Sequence, residues 1–444
     1  PEITNTYNDS DIFPPDLPEN GEDYNGHGSH VAATAAGNIL YDVAEVFPDG
    51  GSESSSGIES GFIYDRISGV APHANIVSYQ VCLPGETDDT YNGCYDSAIV
   101  KAIDDAVASG VVDIINFSIS GGGDPWTGAV NEAWLNAHGA GVFTTHSASN
   151  EGPASYTTEK HAPWLTVVGA STHGRLIDYE KQITDFTGGV TPLAPITGSS
   201  NTGALTAPII YAAQVANPND PGGDPAQCLE PYPEGTFNGE IVVCDRGDIA
   251  RIQKAKNVAA GGAKGFVLAN VAEGADNLAN DTYVIPGIHI LSADATRLRN
   301  WLATGSNHQA TITAATGGIT IDKTQADIVA DFSSRGPNSS VSTLTPHLSA
   351  PGVDIFAAFA DQQYGHDETG PSPADYSYLS GTSMASPFVA GAAVLVANAH
   401  SNWSVDEIRS ALARLTGTAE MGTLFKAMAI ARSDTPPPPG FEIA

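Results

Sequence analysis

The chain has little positive charge and no long apolar run. Its 444 residues include 18 Lys and Arg against 51 Asp and Glu, a formal net charge of −33. Such a surface repels nucleic-acid phosphates and anionic membranes, so we expect no nucleic-acid partner. No run of about 18 apolar residues is present, which predicts no membrane insertion. The simplest interpretation of the acidity is a solvated coat, and adaptation to salt or bound cations is compatible with it.

Cysteine is also scarce, and the four that are present fall into two sequence-local pairs, Cys82 with Cys94 and Cys228 with Cys244. Four cysteines allow three pairings. We expect one bridge inside each pair, because the pairs fall in regions assigned to different domains; four free buried thiols are the alternative. Bridges would place the protein in an oxidising, extracellular compartment. No Cys or Cys/His spacing of a zinc site is found, and we predict no metal site.

The ends of the sequence are unusual in composition. The first residues, "PEITNTYNDSD", contain neither Met nor a signal peptide, so we interpret the chain as a processed or truncated product. The "NDSD" at Asn8 to Asp11 is a weak calcium pattern, since it lacks the Gly and distal Glu of an EF-hand loop. The last segment, 433–444, is a Pro-rich tail, either a disordered end or a linker.

Strand and helix patterns alternate from residue 75 to 170. Four apolar runs predict buried strands, "NIVSYQV", "VVDIINFSI", "GVFTTHSA" and "WLTVVGA". Between them, "DSAIVKAIDDAVASG" predicts a helix that ends at Gly110, and "NEAWLNAHG" predicts a second helix near Gly139. This alternation predicts an α/β fold with a doubly wound, mostly parallel sheet. Ligands of such sheets bind at the carboxyl ends of the strands.

A second, smaller α+β unit is predicted from 190 to 318. The composition changes near Thr187 to Gly-, Thr- and Pro-rich sequence. Short strand patterns follow, among them "GEIVVCDRG", "GFVLANV" and "YVIPGIHIL", with two helix patterns, "IARIQKAKNVAAGG" and "ADATRLRNWLATG".

Ser383 is the first residue with a candidate chemical role. It lies in "YLSGTSMASPFVAGAAVLVANAH", where small residues precede an apolar helix. A helix N-terminus favours negative charge, such as an oxyanion formed by attack on a carbonyl. We expect Pro387 in the first turn of this helix, where little hydrogen bonding is lost. The alternative is that Ser383 is only an N-cap.

Two further residues fit the same chemistry. His27, in "NGHGSHVAATAAGN", starts a helix that stops at Gly37, and a neutral imidazole there is able to accept the serine proton. A metal pair with His30 is the alternative, but the HExxH pattern is not met, so His30 is interpreted as structural. Asn150, in "HSASNEGP", follows a predicted strand. Its amide is suited to donate to an oxyanion, unless it only forms a turn.

Together these blocks resemble the subtilisin-like serine proteases, or subtilases. "GHGSHVAATAAGN", "SASNEGP" and "GTSMASPFVAG" look like the family's histidine, oxyanion-asparagine and serine blocks, in family order, and "DIINFSISGG" looks like its substrate-binding strand. "FNGEIVVCDRG" and "AGGAKGFVLANV" are similar to the protease-associated (PA) domain that one subtilase branch carries as an insertion. The α/β-hydrolase esterases fit worse, because their serine lies in G-x-S-x-G and their histidine comes last.

The resemblance implies a secreted endopeptidase that acts on proteins or peptides through an acyl-enzyme and needs no cofactor. Ser383 is then the nucleophile, His27 the general base, and Asn150 with the Ser383 N–H the oxyanion hole. The segment Ser118, Ile119, Ser120, Gly121 and Gly122 is implied to pair with the substrate. The implied domains are an N-terminal catalytic part (1–189), a PA insertion (190–318), a C-terminal catalytic part (319–432) and the tail (433–444).

The family's aspartate block is not found before His27. Four aspartates precede it without a buried strand, and none is nominated: Asp9, Asp11, Asp16 and Asp23. We expect the strand that carries the acid to lie before residue 1. A non-catalytic binding protein of the same fold, a pseudoprotease or an inactive fragment, is the alternative function.

Overall fold

This computed structural model describes residue 23 and residues 25–48, 57–83, 93–360 and 375–416, which include seven α-helices. The calcium pattern at Asn8 to Asp11 and the Pro-rich tail lie outside these residues. The helices are α1 His27–Ala36, α2 Asp96–Ser109, α3 Ala129–Gly139, α4 Arg251–Ala260, α5 Ser292–Leu302, α6 Thr382–Ala399 and α7 Val405–Thr416.

The same residues form eighteen strands. In chain order they are β1 Leu40–Pro48, β2 Gly57–Ile67, β3 Cys82–Leu83, β4 Gly93–Cys94, β5 Ile114–Phe117, β6 Phe143–Ser147, β7 Thr166–Ser171, β8 Arg175–Thr187, β9 Ile196–Ser199, β10 Leu205–Tyr211, β11 Ile241–Asp245, β12 Gly265–Ala269, β13 Gly287–Ile290, β14 Gln309–Ile312, β15 Thr316–Ile321, β16 Leu348–Pro351, β17 Ile355–Ala358 and β18 Tyr376–Leu379.

The first sheet has the order β16-β7-β6-β5, and all its pairings are parallel. Successive side chains of a strand point to opposite faces, and β7 shows this clearly. Val167 packs in a core with α2 and α3, whereas Val168 packs in another core with α6 and α7. Helices therefore cover both faces, and the predicted α/β fold with a parallel sheet is confirmed.

Helix α2 shows how closely local pattern and structure agree. Its buried residues recur at the spacing of one helix face, and Gly110 ends it with a φ of 64°, the left-handed conformation that glycine adopts readily. The buried residues are Ala98, Ile99, Ala102, Ile103 and Ala106.

The strand predicted at "NIVSYQV" is wrong. Residues 75–81 have no regular structure, and Ile76 and Val77 are 52% and 58% exposed. A strand needs a neighbour for its backbone hydrogen bonds, and no strand in the described part of the chain pairs with this segment. Apolar composition alone therefore overstated its burial.

The second sheet, with the helices that cover it, is called here the second-sheet unit and spans 175–321. Its strand order is β14-β10-β11-β12-β13-β9-β8-β15, and β14 also pairs with β8, so that the strands close on themselves. Strand β11 again separates two cores, with Val243 against α5 and Val242 against α4. Pairing extends this unit beyond the predicted limits of 190 and 318, because β8 and β15 belong to its sheet.

Both cysteine pairs are bridged. Cys82 joins Cys94 between β3 and β4, and Cys228 joins Cys244 on β11. These are the two local pairings predicted from the sequence.

The second-sheet unit leaves the first sheet after β7 and returns to it before β16. Its two connections lie side by side, since the Thr172 N–H donates to the Ile328 carbonyl at 2.8 Å and the Asp327 N–H donates to the Thr172 carbonyl at 3.1 Å. The unit is therefore an insertion whose entry and exit touch.

Helix α6 supplies many of the residues in the core that contains Val168 of β7. It is long and apolar enough to cross a bilayer, with a mean hydropathy of 1.3, but most of it is buried inside the protein. The criterion of an uninterrupted apolar run does not detect this helix, because Ser, Thr and Gly interrupt its apolar residues. Core helices of globular proteins meet the same criterion.

Candidate active site

Ser383 lies in the first turn of α6 and is the only residue from Gly381 to Pro387 that is not fully buried. The helix begins at Thr382, and Gly381 occupies the N-cap position without any side-chain cap. The Ser383 hydroxyl donates instead to the Ser118 carbonyl, at 3.2 Å. The N-cap interpretation of Ser383 is therefore wrong, and its hydroxyl faces the end of β5.

Pro387 lies in the second turn of α6, inside the helix, and not in its first turn as predicted. Proline has no N–H, so the carbonyl four residues earlier loses its helical donor. That carbonyl belongs to Ser383, and the Ser118 hydroxyl donates to it at 2.9 Å. The proline is tolerated because a side chain from β5's end replaces the missing hydrogen bond.

Asn116 on β5 organises this contact, and sequence analysis did not single it out. Its amide nitrogen donates to the Ser118 hydroxyl at 3.0 Å, and its oxygen accepts from the hydroxyls of Ser386 and Thr145. A polar side chain inside an apolar strand pattern was the available signal. The network ties β5 and β6 to the start of α6.

Replacing Ser118 by alanine is expected to destabilise the protein by about 1–3 kcal/mol, because the Ser383 carbonyl loses its donor. The free energy of unfolding from denaturant titration measures this. The matched control is Ser120→Ala, an exposed residue two positions away, for which a change within about 0.5 kcal/mol is expected. Equal effects of the two substitutions would contradict the role assigned to the Ser118 hydroxyl.

Asn150 is exposed and follows eight buried residues that include strand β6. Its side-chain oxygen accepts from both the Thr382 N–H, at 2.9 Å, and the Thr382 hydroxyl, at 3.0 Å. Two donors on the oxygen fix the orientation of the amide. The amide nitrogen, Nδ2, then points away from Thr382 and is left to donate elsewhere.

The space beside Gly381 lies between two nitrogen donors. A methyl group built on Gly381 would be 3.7 Å from Asn150 Nδ2, from the Ser383 backbone nitrogen and from Met384 Sδ. Gly381 has no side chain to fill this position, and Ser383 follows two residues later. Two nitrogen donors beside one small space in the turn before Ser383 form an arrangement suited to hold an oxyanion.

His27 is the first residue of α1, and its side chain is half-buried. Helix α1 packs against α6: a methyl group on Gly391 would contact the Ala35 carbonyl at 2.7 Å. Val31, one turn after His27, packs with Met384, the neighbour of Ser383. Among the described residues no hydrogen bond links the His27 ring to Ser383. Catalytic hydrogen bonds are often long in unliganded enzymes.

Asp23 caps helix α1 and makes no hydrogen bond to the His27 ring. Its carboxylate accepts from the N–H groups of Asn25, Gly26 and Ser29. Burial opposes ionisation of Asp23, but these hydrogen bonds outweigh it and lower its pKa. Burial also lowers the pKa of His27, an effect that the charge of Asp23 partly offsets. The Asp23 carboxylate is therefore engaged by the backbone at the start of α1.

The segment after β5 is already hydrogen-bonded on one side. The Gly121 N–H donates to Glu159 at 2.6 Å, and buried Lys160 donates to the carbonyls of Ile119, at 2.8 Å, and Gly121. Ser118 contacts Ser383, and Ser120 is exposed. Of the residues predicted to pair with substrate, Ser120, Gly121 and Gly122 are exposed, whereas Ser118 is buried and bonded to Ser383 through both its hydroxyl and its carbonyl.

His30 fits its structural interpretation. It is fully buried, and its Nε2 lies 2.8 Å from the Ile355 carbonyl and 3.2 Å from the Ser377 carbonyl. Burial lowers its pKa to about 4. Within the described segments, no group of three His, Cys, Asp or Glu side chains is arranged to hold a metal ion.

A histidine begins a small-residue helix, an asparagine follows a strand of the parallel sheet, and a serine lies in the first turn of another helix. The subtilase family model, peptidase S8, matches residues 2–427, and the chain belongs to this family.

Two plant proteins of Arabidopsis thaliana are among its relatives. Subtilisin-like protease SBT1.6 is 36% identical over 414 residues, which are 90% of this chain and 49% of that protein. Subtilisin-like protease SBT1.3 is 32% identical over 428 residues, 94% of this chain and 50% of that protein. The chain thus spans about half the length of the curated relatives it matches.

A solved structure, the psychrophilic subtilisin-like protease Apa1 from Pseudoalteromonas sp. AS-11, matches with a TM-score of 0.33 and 17% identity. That match covers 89% of this chain and 78% of the other. Such an overlap is loose, and the family assignment stands on the sequence comparisons.

Proposed function

We propose that the protein is a secreted serine endopeptidase that hydrolyses peptide bonds through an acyl-enzyme on Ser383. Ser383 Oγ attacks the peptide carbonyl, His27 takes the hydroxyl proton and passes it to the leaving amine, and water then releases the acyl group with the same histidine as base. The chemistry uses protein groups and water alone. Proteins or peptides are the proposed substrates.

The observation that carries this proposal is the small space beside Gly381. Asn150 Nδ2 and the Ser383 nitrogen lie equally close to it, and Ser383 is the one residue from Gly381 to Pro387 that is not buried. Donors held in place before the reaction stabilise the negative charge that develops on the carbonyl oxygen.

The proposal includes a carboxylate on the second ring nitrogen of His27, which orients the ring and stabilises its charged form. None of the described residues supplies it through a hydrogen bond. We also propose that the substrate pairs along Ser118 to Gly121 as an added strand. The second-sheet unit is proposed to be a PA domain inserted into the catalytic domain, and the two disulfides support an extracellular location.

A serine-directed fluorophosphonate tests the proposed function on the full-length protein. Covalent labelling of Ser383, located by peptide mass spectrometry, is the expected result. A folded full-length protein whose Ser383 stays unlabelled would reject the acyl-enzyme mechanism and favour a non-catalytic binding protein.

The pH dependence of kcat/KM reports on His27 separately. Burial disfavours the charged imidazolium and lowers the pKa of His27, so the neutral base persists below its ordinary pKa of about 6.5. The midpoint of the acid limb is therefore expected below pH 6.5. His73→Gln, at an exposed histidine, serves as the control and should not move the profile. An acid limb above pH 6.5 would show that a carboxylate partner of His27 outweighs burial.

A further inference from the structure

The side chain of Arg251, the first residue of α4, links the second-sheet unit directly to the loop that leads to Ser383. Arg251 forms a two-pronged ion pair with Asp281, and its Nη2 also donates to the Ser380 carbonyl at 2.9 Å. The Arg251 and Asp281 side chains are only 14% and 2% exposed. A guanidinium is planar and rigid, so this contact fixes the Ser380 carbonyl relative to Asp281.

A second contact is made by the Ser380 side chain. The Ser380 hydroxyl accepts from the Asp354 N–H at 2.8 Å and donates to the Asp354 carboxylate at 3.1 Å. That carboxylate also accepts from the N–H of Asn280, the neighbour of Asp281, at 3.2 Å. Burial raises the pKa of Asp354 to about 6, with the charge of Asp281 adding to the rise and Arg251 opposing it.

Ser380 is one residue from the space proposed to hold the oxyanion. Gly381 follows it directly, and its N–H donates to the Gly352 carbonyl at 2.8 Å. A methyl group on Gly352 would lie 2.8 Å from the Gly381 carbonyl. This close packing leaves the turn little freedom of its own, so a rotation at the Ser380 carbonyl would displace Gly381 and, with it, the Ser383 N–H.

We propose that Arg251 is a positioning residue for the reaction, which holds the turn from Ser380 to Ser383 in place from the second-sheet unit. The inference rests on the proposed function for its kinetic consequence, but the restraint on the turn is measurable without catalysis. The inserted unit is then part of the catalytic geometry and not only an accessory to it.

The chain supplies a matched control in the same unit. Arg299 forms a similar buried pair with Asp245, with Nη2 to Oδ1 at 2.7 Å and side chains that are 19% and 14% exposed. Its further hydrogen bonds go to the carbonyls of Ala269 and Asn270, inside the unit. Losing Arg299 removes an equivalent ion pair but leaves Ser380 untouched.

The experiment compares Arg251→Ala, Arg251→Lys and Arg299→Ala in the full-length protein. The first readout is hydrogen–deuterium exchange in peptides that cover 376–386. The second is kcat and KM for a peptide substrate, together with the rate constant for fluorophosphonate labelling. Arg251→Lys keeps a positive charge beside Asp281 but replaces the planar guanidinium with a single ammonium group. This variant therefore still tests the contact if Arg251→Ala does not fold.

We expect both Arg251 variants to exchange faster in 376–386, with no such change in Arg299→Ala. Displacing reacting groups by about 1 Å costs up to about a hundredfold in rate, so kcat and labelling should fall by roughly tenfold to a hundredfold in Arg251→Ala, with KM little changed. Unaltered exchange in both folded Arg251 variants, or an equal loss of kcat in Arg299→Ala, overturns the inference. If Ser383 of the wild-type protein is never labelled, the proposed function is rejected. The exchange comparison then still tests whether Arg251 restrains the turn.

Discussion

Replacing Ser383 by alanine is expected to lower kcat of the full-length protein by about a millionfold, the scale measured when a subtilisin loses its nucleophile. The two neighbouring hydroxyls are buried and already engaged, since Thr382 donates to Asn150 and Ser118 donates to the Ser383 carbonyl. The folded structure should survive, because the Ser383 hydroxyl makes one hydrogen bond, to a carbonyl at 3.2 Å. Steady-state hydrolysis of a fluorogenic peptide and thermal unfolding measure the two effects.

Ser404→Ala is the matched control for this substitution. Ser404 precedes α7, and its hydroxyl and N–H exchange hydrogen bonds with Glu407 in a capping box. Losing this cap should cost about 1 kcal/mol of stability and leave kcat unchanged. Activity that persists in Ser383→Ala would show that the serine is not the nucleophile.

The second large effect is expected at Asn150. Asn150→Ala removes one of the two donors beside Gly381, and losing one such donor typically costs about a hundredfold to a thousandfold in kcat. KM should change little, because the oxyanion forms only after attack and the ground-state carbonyl gains less from the donor. Initial rates over a range of substrate concentrations separate the two constants.

Asn219→Ala provides the comparison at an exposed asparagine far from the site, where the amide donates to the Pro231 carbonyl at 3.0 Å. It should retain the wild-type kcat. A uniform rise in KM with kcat unchanged in Asn150→Ala would mean that Asn150 binds substrate equally in the ground and transition states, and the assigned role would then be incorrect.

Local sequence patterns were sufficient to predict the helices whose bounds depend on residues only a few positions apart. Helix α2 followed from the spacing of its apolar residues and from Gly110, and α1 followed from small residues that end at Gly37. The position of Asn150 was predictable too, because parallel strands bring their carboxyl ends to one edge of a sheet.

Contacts between distant residues decided what the sequence did not reveal. Pro387 was placed too early in α6, because its tolerance depends on the Ser118 hydroxyl, 265 residues away from the carbonyl it binds. Arg251 lies in an ordinary amphipathic helix, and only folding brings it to Ser380, 129 residues further along. Sequence periodicity does not reveal such partners, because each of these side chains is compatible with an exposed or a buried position.

The side-by-side entry and exit of the second-sheet unit constrain the order of events during folding. Strands β7 and β16 are hydrogen-bonded neighbours, with Val168 opposite Leu348, yet they can meet only after the whole intervening segment has been closed into a loop. Closing a loop costs less entropy when its contents are already compact, because the chain ends then start close together. We therefore expect the inserted sheet to form first and to bring β7 and β16 close enough to pair in register.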